Sequence, residues 1–208
     1  MEVAELAGTV VFAVSGVFAV ADRRIDWFGA VVVGVVAAIG GGTLRGLVLG
    51  QTPVFWIDDM TYLGFAVAGS LIAIPLVSRL GNSARRFEEG LQLADAMGLA
   101  LFSIVGASAT LELGESGAVA VICGFLTGVG GGLVRDLLVG KTPLIIRSEI
   151  YATAALAGTI VFVLLKEAAG APLWISSITG MSMIFGIRLA SLKKQWSLPI
   201  LGGNNLPD

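Results

Sequence analysis

Seven stretches of mainly apolar residues run through the 208-residue chain, and each is about as long as a helix that crosses a bilayer. Such a helix needs about 20 apolar residues. Short polar breaks, such as Asp22 to Arg24 and Asp58-Asp59, separate the stretches. The sequence predicts an all-α integral membrane protein with seven transmembrane helices, at 4–21, 27–49, 60–78, 94–111, 117–140, 149–166 and 172–190.

The composition excludes several classes of function. Only 13% of the residues are charged, about half the usual share in a soluble domain. The chain has no histidine, so imidazole-based metal sites and catalytic triads are excluded. The single cysteine, Cys123, cannot form an internal disulfide and is interpreted as a packing residue. A net charge of −2 without a large basic cluster argues against a nucleic-acid partner.

Basic residues are concentrated on one side of the predicted membrane. Ten of the thirteen fall on the side that receives the first, third and fifth connections and the C-terminal end. Basic loops stay in the cytoplasm. The expected orientation therefore has the N-terminus outside, the C-terminus inside and the first stretch retained as a helix. The C-terminal residues from Lys193 to Asp208 are expected to be poorly ordered.

The chain repeats itself at an offset of ninety residues. Residues 40–53 align without a gap with residues 130–143, and eight of the fourteen pairs are identical. Each copy contains three spans, so the second enters the membrane from the opposite side, as in inverted-repeat transport proteins. The predicted units are a first three-helix repeat at 1–90, an inverted second repeat at 91–170, and a seventh helix with its tail at 171–208.

A glycine triplet lies near the middle of the second span and another in the fifth: Gly40, Gly41, Gly42 and Gly130, Gly131, Gly132. Three glycines in a row weaken a helix. One interpretation is a kinked, broken helix whose free carbonyls form a cation constriction at the midplane. The alternative is close packing of two helices whose backbones touch.

Charged and aromatic residues accompany the triplets. Arg45 and Arg135 follow them by three residues, and either flank the constriction or extend to the headgroups. Asp136 is the one acid predicted well inside a span; it pairs with a neighbour or attracts cations. Phe12 and Phe102 are repeat mates that form either a hydrophobic gate or ordinary core.

The paired segments with the pattern GGG-x-x-R-x-L-x-x-G-x-T-P, within an inverted repeat of seven spans, resemble the prokaryotic trimeric intracellular cation (TRIC) channels. The resemblance implies a homotrimer with a pore in each protomer, kinks at the two glycine triplets, and permeation of K⁺ and, less selectively, Na⁺. The Lys-Glu-Val motif of animal members is absent from residues 93–97, so their voltage sensing and phosphoinositide binding are not expected.

The predicted function is a K⁺ channel in the plasma membrane of a prokaryote, with membrane lipid as its surroundings. No cofactor is expected, and no metal beyond the transient K⁺. The alternative is a secondary transporter for a small polar solute such as an amino acid. An intramembrane enzyme is not expected, because no nucleophile, base and stabilising group can be assembled from the sequence.

Overall fold

The fold is described from a computed structural model that covers residues 1–80, 83–147 and 149–194. All the secondary structure in these residues is helical, and seven helices are long and apolar enough to cross a membrane. The predicted tail beyond Lys194 lies outside the described residues. The helices are α1 (Glu2–Ala19), α2 (Trp27–Val48), α3 (Phe55–Asp58), α4 (Thr61–Arg79), α5 (Ala84–Glu112), α6 (Gly117–Leu138), α7 (Leu144–Arg147), α8 (Glu149–Val163), a π-helical turn (Leu164–Ala168) and α9 (Leu173–Lys194).

The longest helix, α5, lies at the centre of the bundle. It packs against α1, α6, α8 and α9. The largest apolar cluster forms where α5, α6, α8 and α9 meet, around Leu99, Ile104, Phe162 and Ile184, all fully buried. The helix α5 therefore contacts helices of both halves of the chain, while α2 packs mainly against α1, α6 and α4.

The two halves of the chain repeat each other in structure as they do in sequence. The helices α2 and α6 have 22 residues each, and both their first and their last residues are ninety positions apart. Their N-caps are also repeat mates: the Asp26 carboxylate accepts a hydrogen bond from the Gly29 N–H, and the Ser116 hydroxyl accepts one from the Val119 N–H. A one-turn helix, α3 or α7, follows each. Since each unit crosses three times, the two units are inverted in the membrane.

The structure shows no break in either helix at the glycine triplets, and the predicted kinks there stay a prediction. Both α2 and α6 continue as regular α-helix through Gly40–Gly42 and Gly130–Gly132. In a continuous α-helix the carbonyl groups accept hydrogen bonds from N–H groups four residues later, so they are not free to bind a cation. The glycines instead allow α2 and α6 to pack closely against each other.

The fourth span begins earlier than predicted. The helix α5 starts at Ala84, where Ser83 is its N-cap, and the predicted unit boundary at residue 90 falls inside it. Its first turns carry an exposed ion pair between Arg85 and Glu89. An apolar-length criterion finds only the membrane-embedded part of such a helix, because charged turns outside the membrane do not add to the apolar run.

The one-turn helix α3 leads into α4 through a polar cap. The Asp59 carboxylate accepts a hydrogen bond from the Thr61 N–H at 2.9 Å. Hydrogen bonds from the Thr61 side chain and backbone lower the pKa of Asp59, which lies outside the membrane-spanning segments. Asp59 thus satisfies one of the free backbone N–H groups at the start of α4.

Candidate functional site

The helices α2 and α6 cross at their glycine triplets. A methyl group on Gly41 would overlap the Thr127 carbonyl oxygen of α6, and one on Gly131 would overlap the Ala37 carbonyl oxygen of α2. Ala37 and Thr127 are themselves repeat mates, so the two contacts are related by the internal symmetry. The glycines therefore let two antiparallel backbones touch, as the packing interpretation proposed.

A pair of stacked aromatic rings lies beside this crossing. The centroids of Phe12 on α1 and Phe102 on α5 are 5.2 Å apart, with an interplanar angle of 26°. Each ring packs on a glycine of the other helix, Phe12 against Gly98 and Phe102 against Gly8. Both phenylalanines are buried, so the pair forms an apolar layer at the middle of the bundle.

On one side of the aromatic pair lies a small cavity of about 20 Å³, here called the Arg45 cavity. Each of the helices α1 to α6 contributes to its lining, and α3, α4 and α6 contribute one residue each. Its lining consists of Glu5, Thr9, Gly42, Arg45, Phe55, Tyr62, Phe102, Val105 and Thr127. The cavity therefore combines both signs of charge with hydroxyl groups, and the Phe102 ring borders it.

Arg45 lines this cavity and forms no ion pair with another described residue. The residue is only 9% exposed, and its Nε is buried without a hydrogen bond within the part of the chain that the structure describes. Glu5 borders the same cavity as Arg45, yet no ion pair joins the two side chains. The Glu5 carboxylate instead accepts a hydrogen bond from the Tyr62 hydroxyl at 2.6 Å. A buried guanidinium left in this way needs water, an ion or a solute beside it.

On the other side of the aromatic pair, Arg135 is enclosed completely. Its Nη1 donates to the Asp95 carboxylate at 2.8 Å and to the Ser15 hydroxyl at 3.0 Å, and its Nε donates to the Asp136 carboxylate at 2.8 Å. The other oxygen of Asp136 accepts from the Leu144 N–H at 3.0 Å. Arg135 and Asp95 are each 0% exposed. Arg135 thus ties α6 to α1 and α5 and does not extend to the headgroups.

Tyr151 and Arg188 are also buried beside Arg135. The group is here called the Arg135 cluster and consists of Ser15, Asp95, Arg135, Asp136, Tyr151 and Arg188. A methyl group on Gly132 would lie 3.0 Å from Asp95 and 3.1 Å from the Tyr151 hydroxyl. The Arg188 guanidinium carbon lies 4.9 Å from the centroid of the Tyr151 ring. Two arginines and two aspartates make the cluster formally neutral, which lowers the cost of burying each charge.

The cavity, the aromatic pair and the cluster lie along one face of α1. Glu5 and Thr9 line the cavity, Phe12 belongs to the aromatic pair, and Ser15 belongs to the cluster. Spacings of three and four residues place side chains on the same face of a helix. The polar groups are therefore stacked along the bundle and interrupted by a single apolar layer.

Some of these residues were predicted from the sequence and others were not. The predicted residues that lie in this region are Arg45, Arg135, Asp136, Phe12, Phe102 and both glycine triplets, while Cys123 is buried in α6. The prediction that Asp136 is the one acid well inside a span is wrong, because Asp95 lies within α5 and is fully buried. The ninety-residue offset is the signal that could have identified Asp95, since its repeat mate is Glu5. Tyr62, Tyr151 and Arg188 carried no comparable signal.

Comparisons with known proteins agree with this architecture. The sequence model of the family described as "Glycine transporter" matches residues 2–78 and 92–167, two segments whose first residues are ninety positions apart. The inner membrane protein YadS of Escherichia coli K12 is 41% identical over 196 residues, which cover 94% of this chain and 93% of YadS. The membrane protein YvgT of Bacillus subtilis is 32% identical, and the match covers 95% of both chains.

Solved structures give the same result. The trimeric intracellular cation channel orthologue from Rhodobacter sphaeroides superimposes with a TM-score of 0.86 at 36% identity, over 93% of this chain and 97% of that one. The chain belongs to the prokaryotic TRIC family. A second prokaryotic TRIC channel, crystallised in 0.5 M KCl, has a TM-score of 0.86 at 27% identity and covers 95% of this chain and 98% of its own. TRIC relatives thus share the seven-helix architecture over nearly the whole chain.

Proposed function

We propose that this chain is a monovalent cation channel that conducts K⁺ passively, and Na⁺ less selectively, through a path within each protomer of a homotrimer. The path runs along the polar face of α1, from the Arg45 cavity through the Phe12–Phe102 layer to the Arg135 cluster. Its framework is the two three-helix units at 1–90 and 91–170, with a seventh helix and tail at 171–208.

The observation that carries the proposal is the likeness to the Rhodobacter sphaeroides protein, which is described as an orthologue of a trimeric cation channel. At 36% identity over nearly the whole chain, relatives of this kind commonly share a function as well as a fold. Stacked polar groups along the bundle, separated by one apolar layer, fit a pore that is closed by dewetting of the aromatic pair. The glycine triplets narrow the path by bringing α2 and α6 together, rather than by offering free carbonyls.

The proposed location is the inner membrane of a bacterium or archaeon. The chain is a multi-pass membrane protein, and its relative YadS is named an inner membrane protein. We expect the side that carries ten basic residues to face the cytoplasm and the N-terminus to lie outside, because basic loops stay in the cytoplasm. On this assignment the Arg45 cavity faces outwards and the Arg135 cluster lies towards the cytoplasm.

The test is K⁺ efflux from liposomes that contain the purified protein, with no proton or Na⁺ gradient and with a protonophore for charge balance. Empty vesicles give the background, and valinomycin gives the maximum. Efflux well above background is the expected result, and light scattering of the detergent-solubilised protein is expected to give the mass of a trimer. Efflux at background level from folded protein would contradict the channel.

A second candidate function is transport of a small zwitterion such as glycine. Two observations favour it: the description of the matching sequence family, and the presence of an arginine and a glutamate in one cavity. A guanidinium suits a carboxylate, and a carboxylate suits an ammonium group. Uptake of radiolabelled glycine that saturates and depends on an imposed proton or Na⁺ gradient is the result that would favour this candidate over the channel.

A further inference from the structure

The same combination of an acid and an arginine occurs twice in the chain, once at each end of the α2–α6 crossing. Glu5 and Asp95 are repeat mates, and so are Arg45 and Arg135. At one end Arg135 forms an ion pair with Asp95 at 2.8 Å, with both side chains fully buried. At the other end Arg45 and Glu5 border the same cavity without pairing, and Glu5 accepts the Tyr62 hydrogen bond.

The residues around the two acid–arginine pairs also differ: they leave space beside Arg45 and Glu5 and fill it beside Arg135 and Asp95. The repeat mate of Thr9, which lines the Arg45 cavity, is Leu99, which is fully buried. The repeat mate of Val105, another lining residue, is Ser15, whose hydroxyl accepts a hydrogen bond from Arg135. Equivalent positions therefore surround an open cavity at one end and a closed ion-pair cluster at the other.

We propose that Glu5 and Asp95 are the two cation-binding carboxylates of the permeation path, each blocked when the arginine of its own repeat pairs with it. This inference rests on the proposed channel function. A guanidinium is a cation tethered to the helix, and it competes with a mobile K⁺ for the same carboxylate. In the structure Arg135 occupies the Asp95 site, while the Glu5 site is free to bind a cation.

Tyr62 keeps the Glu5 carboxylate from pairing with Arg45. Its hydroxyl donates a short hydrogen bond to one carboxylate oxygen and holds the carboxylate away from Arg45. Arg45 is almost buried and its Nε has no hydrogen bond within the described residues, so it is ready to take the carboxylate if Tyr62 releases it. Tyr62 is therefore a positioning residue for the cation site.

The first experiment compares Glu5→Gln with Glu2→Gln in the K⁺ efflux assay. Both changes remove one negative charge from α1, but Glu2 is exposed and does not line the cavity. At low K⁺ we expect Glu5→Gln to reduce efflux about fivefold or more, as for the loss of a nearby opposite charge, and Glu2→Gln to leave it unchanged. Equal effects of the two changes would show a general surface-charge effect and overturn the site.

Cation binding is also measured without flux. The melting temperature of the purified protein is compared in KCl and in choline chloride at equal ionic strength, since a ligand of the folded state raises it. We expect K⁺ to stabilise the wild-type and Glu2→Gln proteins but not Glu5→Gln. Stabilisation without efflux would retain the site and contradict the channel; efflux with equal stabilisation of all three would retain the channel and overturn the site.

The competition itself is tested with Tyr62→Phe, alone and together with Arg45→Gln. Tyr62→Phe removes only the hydroxyl, so the folded state is expected to persist, and size-exclusion chromatography checks this. Without the hydroxyl, Glu5 pairs with Arg45, and efflux falls about fivefold or more. Arg45→Gln in the same chain removes the competitor and restores efflux. Wild-type efflux in Tyr62→Phe, or a loss that Arg45→Gln does not reverse, would overturn the proposal.

Discussion

Gly41 faces the Thr127 carbonyl oxygen so closely that not even a methyl group fits between them. The contact joins α2 to α6 at the centre of the bundle, and the internal symmetry repeats it between Gly131 and Ala37. Helix association within a membrane depends on such close packing, since the lipid is as apolar as the helices. Two glycines, one from each half, therefore determine how far apart the central helices lie.

The first prediction concerns this contact. Gly41→Ala is expected to destabilise the protein by about 1–3 kcal/mol, because the methyl group forces α2 and α6 apart. Gly40→Ala is the matched control, since the nearest atom to its added methyl group would be 3.6 Å away. Alanine is the better helix former, so the control is expected to be neutral or stabilising by up to ~1 kcal/mol. Unfolding of both variants in detergent provides the measurement.

The second prediction concerns the Arg135–Asp95 ion pair. Arg135→Gln leaves the buried Asp95 carboxylate without its ion-pair partner and is expected to cost about 3–5 kcal/mol, whereas Asp95→Asn leaves Arg135 paired with Asp136 and is expected to cost less. The double variant removes both members of the Arg135–Asp95 pair and is expected to cost less than the sum of the two, with a coupling energy of about 2 kcal/mol. Additive costs in the double-mutant cycle would show that the two side chains do not depend on each other.

The third prediction separates a gate from ordinary core. Phe102→Ala removes one ring of the stacked pair beside the Arg45 cavity and is expected to raise K⁺ efflux, because water then wets the apolar layer. Phe162→Ala is the control, since that ring is fully buried in the apolar cluster of α5, α8 and α9. Both variants are expected to lose about 3–5 kcal/mol of stability. A similar rise in efflux in both would indicate leakage through a loosened bundle.

The fourth prediction concerns the orientation. Glu115 lies in the exposed connection before α6, and Arg24 lies in the exposed connection before α2. Each is replaced by cysteine in a chain that also carries Cys123→Ala, so that the native thiol does not react. Glu115→Cys is expected to react with a membrane-impermeant maleimide in intact cells, and Arg24→Cys only after permeabilisation. The reverse pattern would place the N-terminus in the cytoplasm.

Much of the fold follows from the sequence, because membrane spans and repeats leave strong local signals. The seven spans lie close to their predicted positions, and the ninety-residue offset predicts the matched bounds of α2 and α6. The short helices α3 and α7 were missed, since four residues are too few for a periodic pattern.

The site was less predictable, because its geometry depends on contacts between distant residues. A glycine triplet alone fits a broken helix as well as a close crossing, and only the partner carbonyl oxygens of Ala37 and Thr127 distinguish the two. The role of Asp95 was hidden for a related reason. Asp95 is the second residue of the predicted span at 94–111, whereas the longer α5 places it in the interior, fully buried.

The helices α2 and α6 have matched bounds and matched N-caps. The residues that shape each unit, including its cap and its central glycines, therefore play the same structural role in both halves of the chain. The two units differ instead in single charged residues, such as Asp136 in place of Gly46 and Lys141 in place of Gln51. The duplicated scaffold therefore accommodates a buried charge in one half and none at the equivalent position of the other.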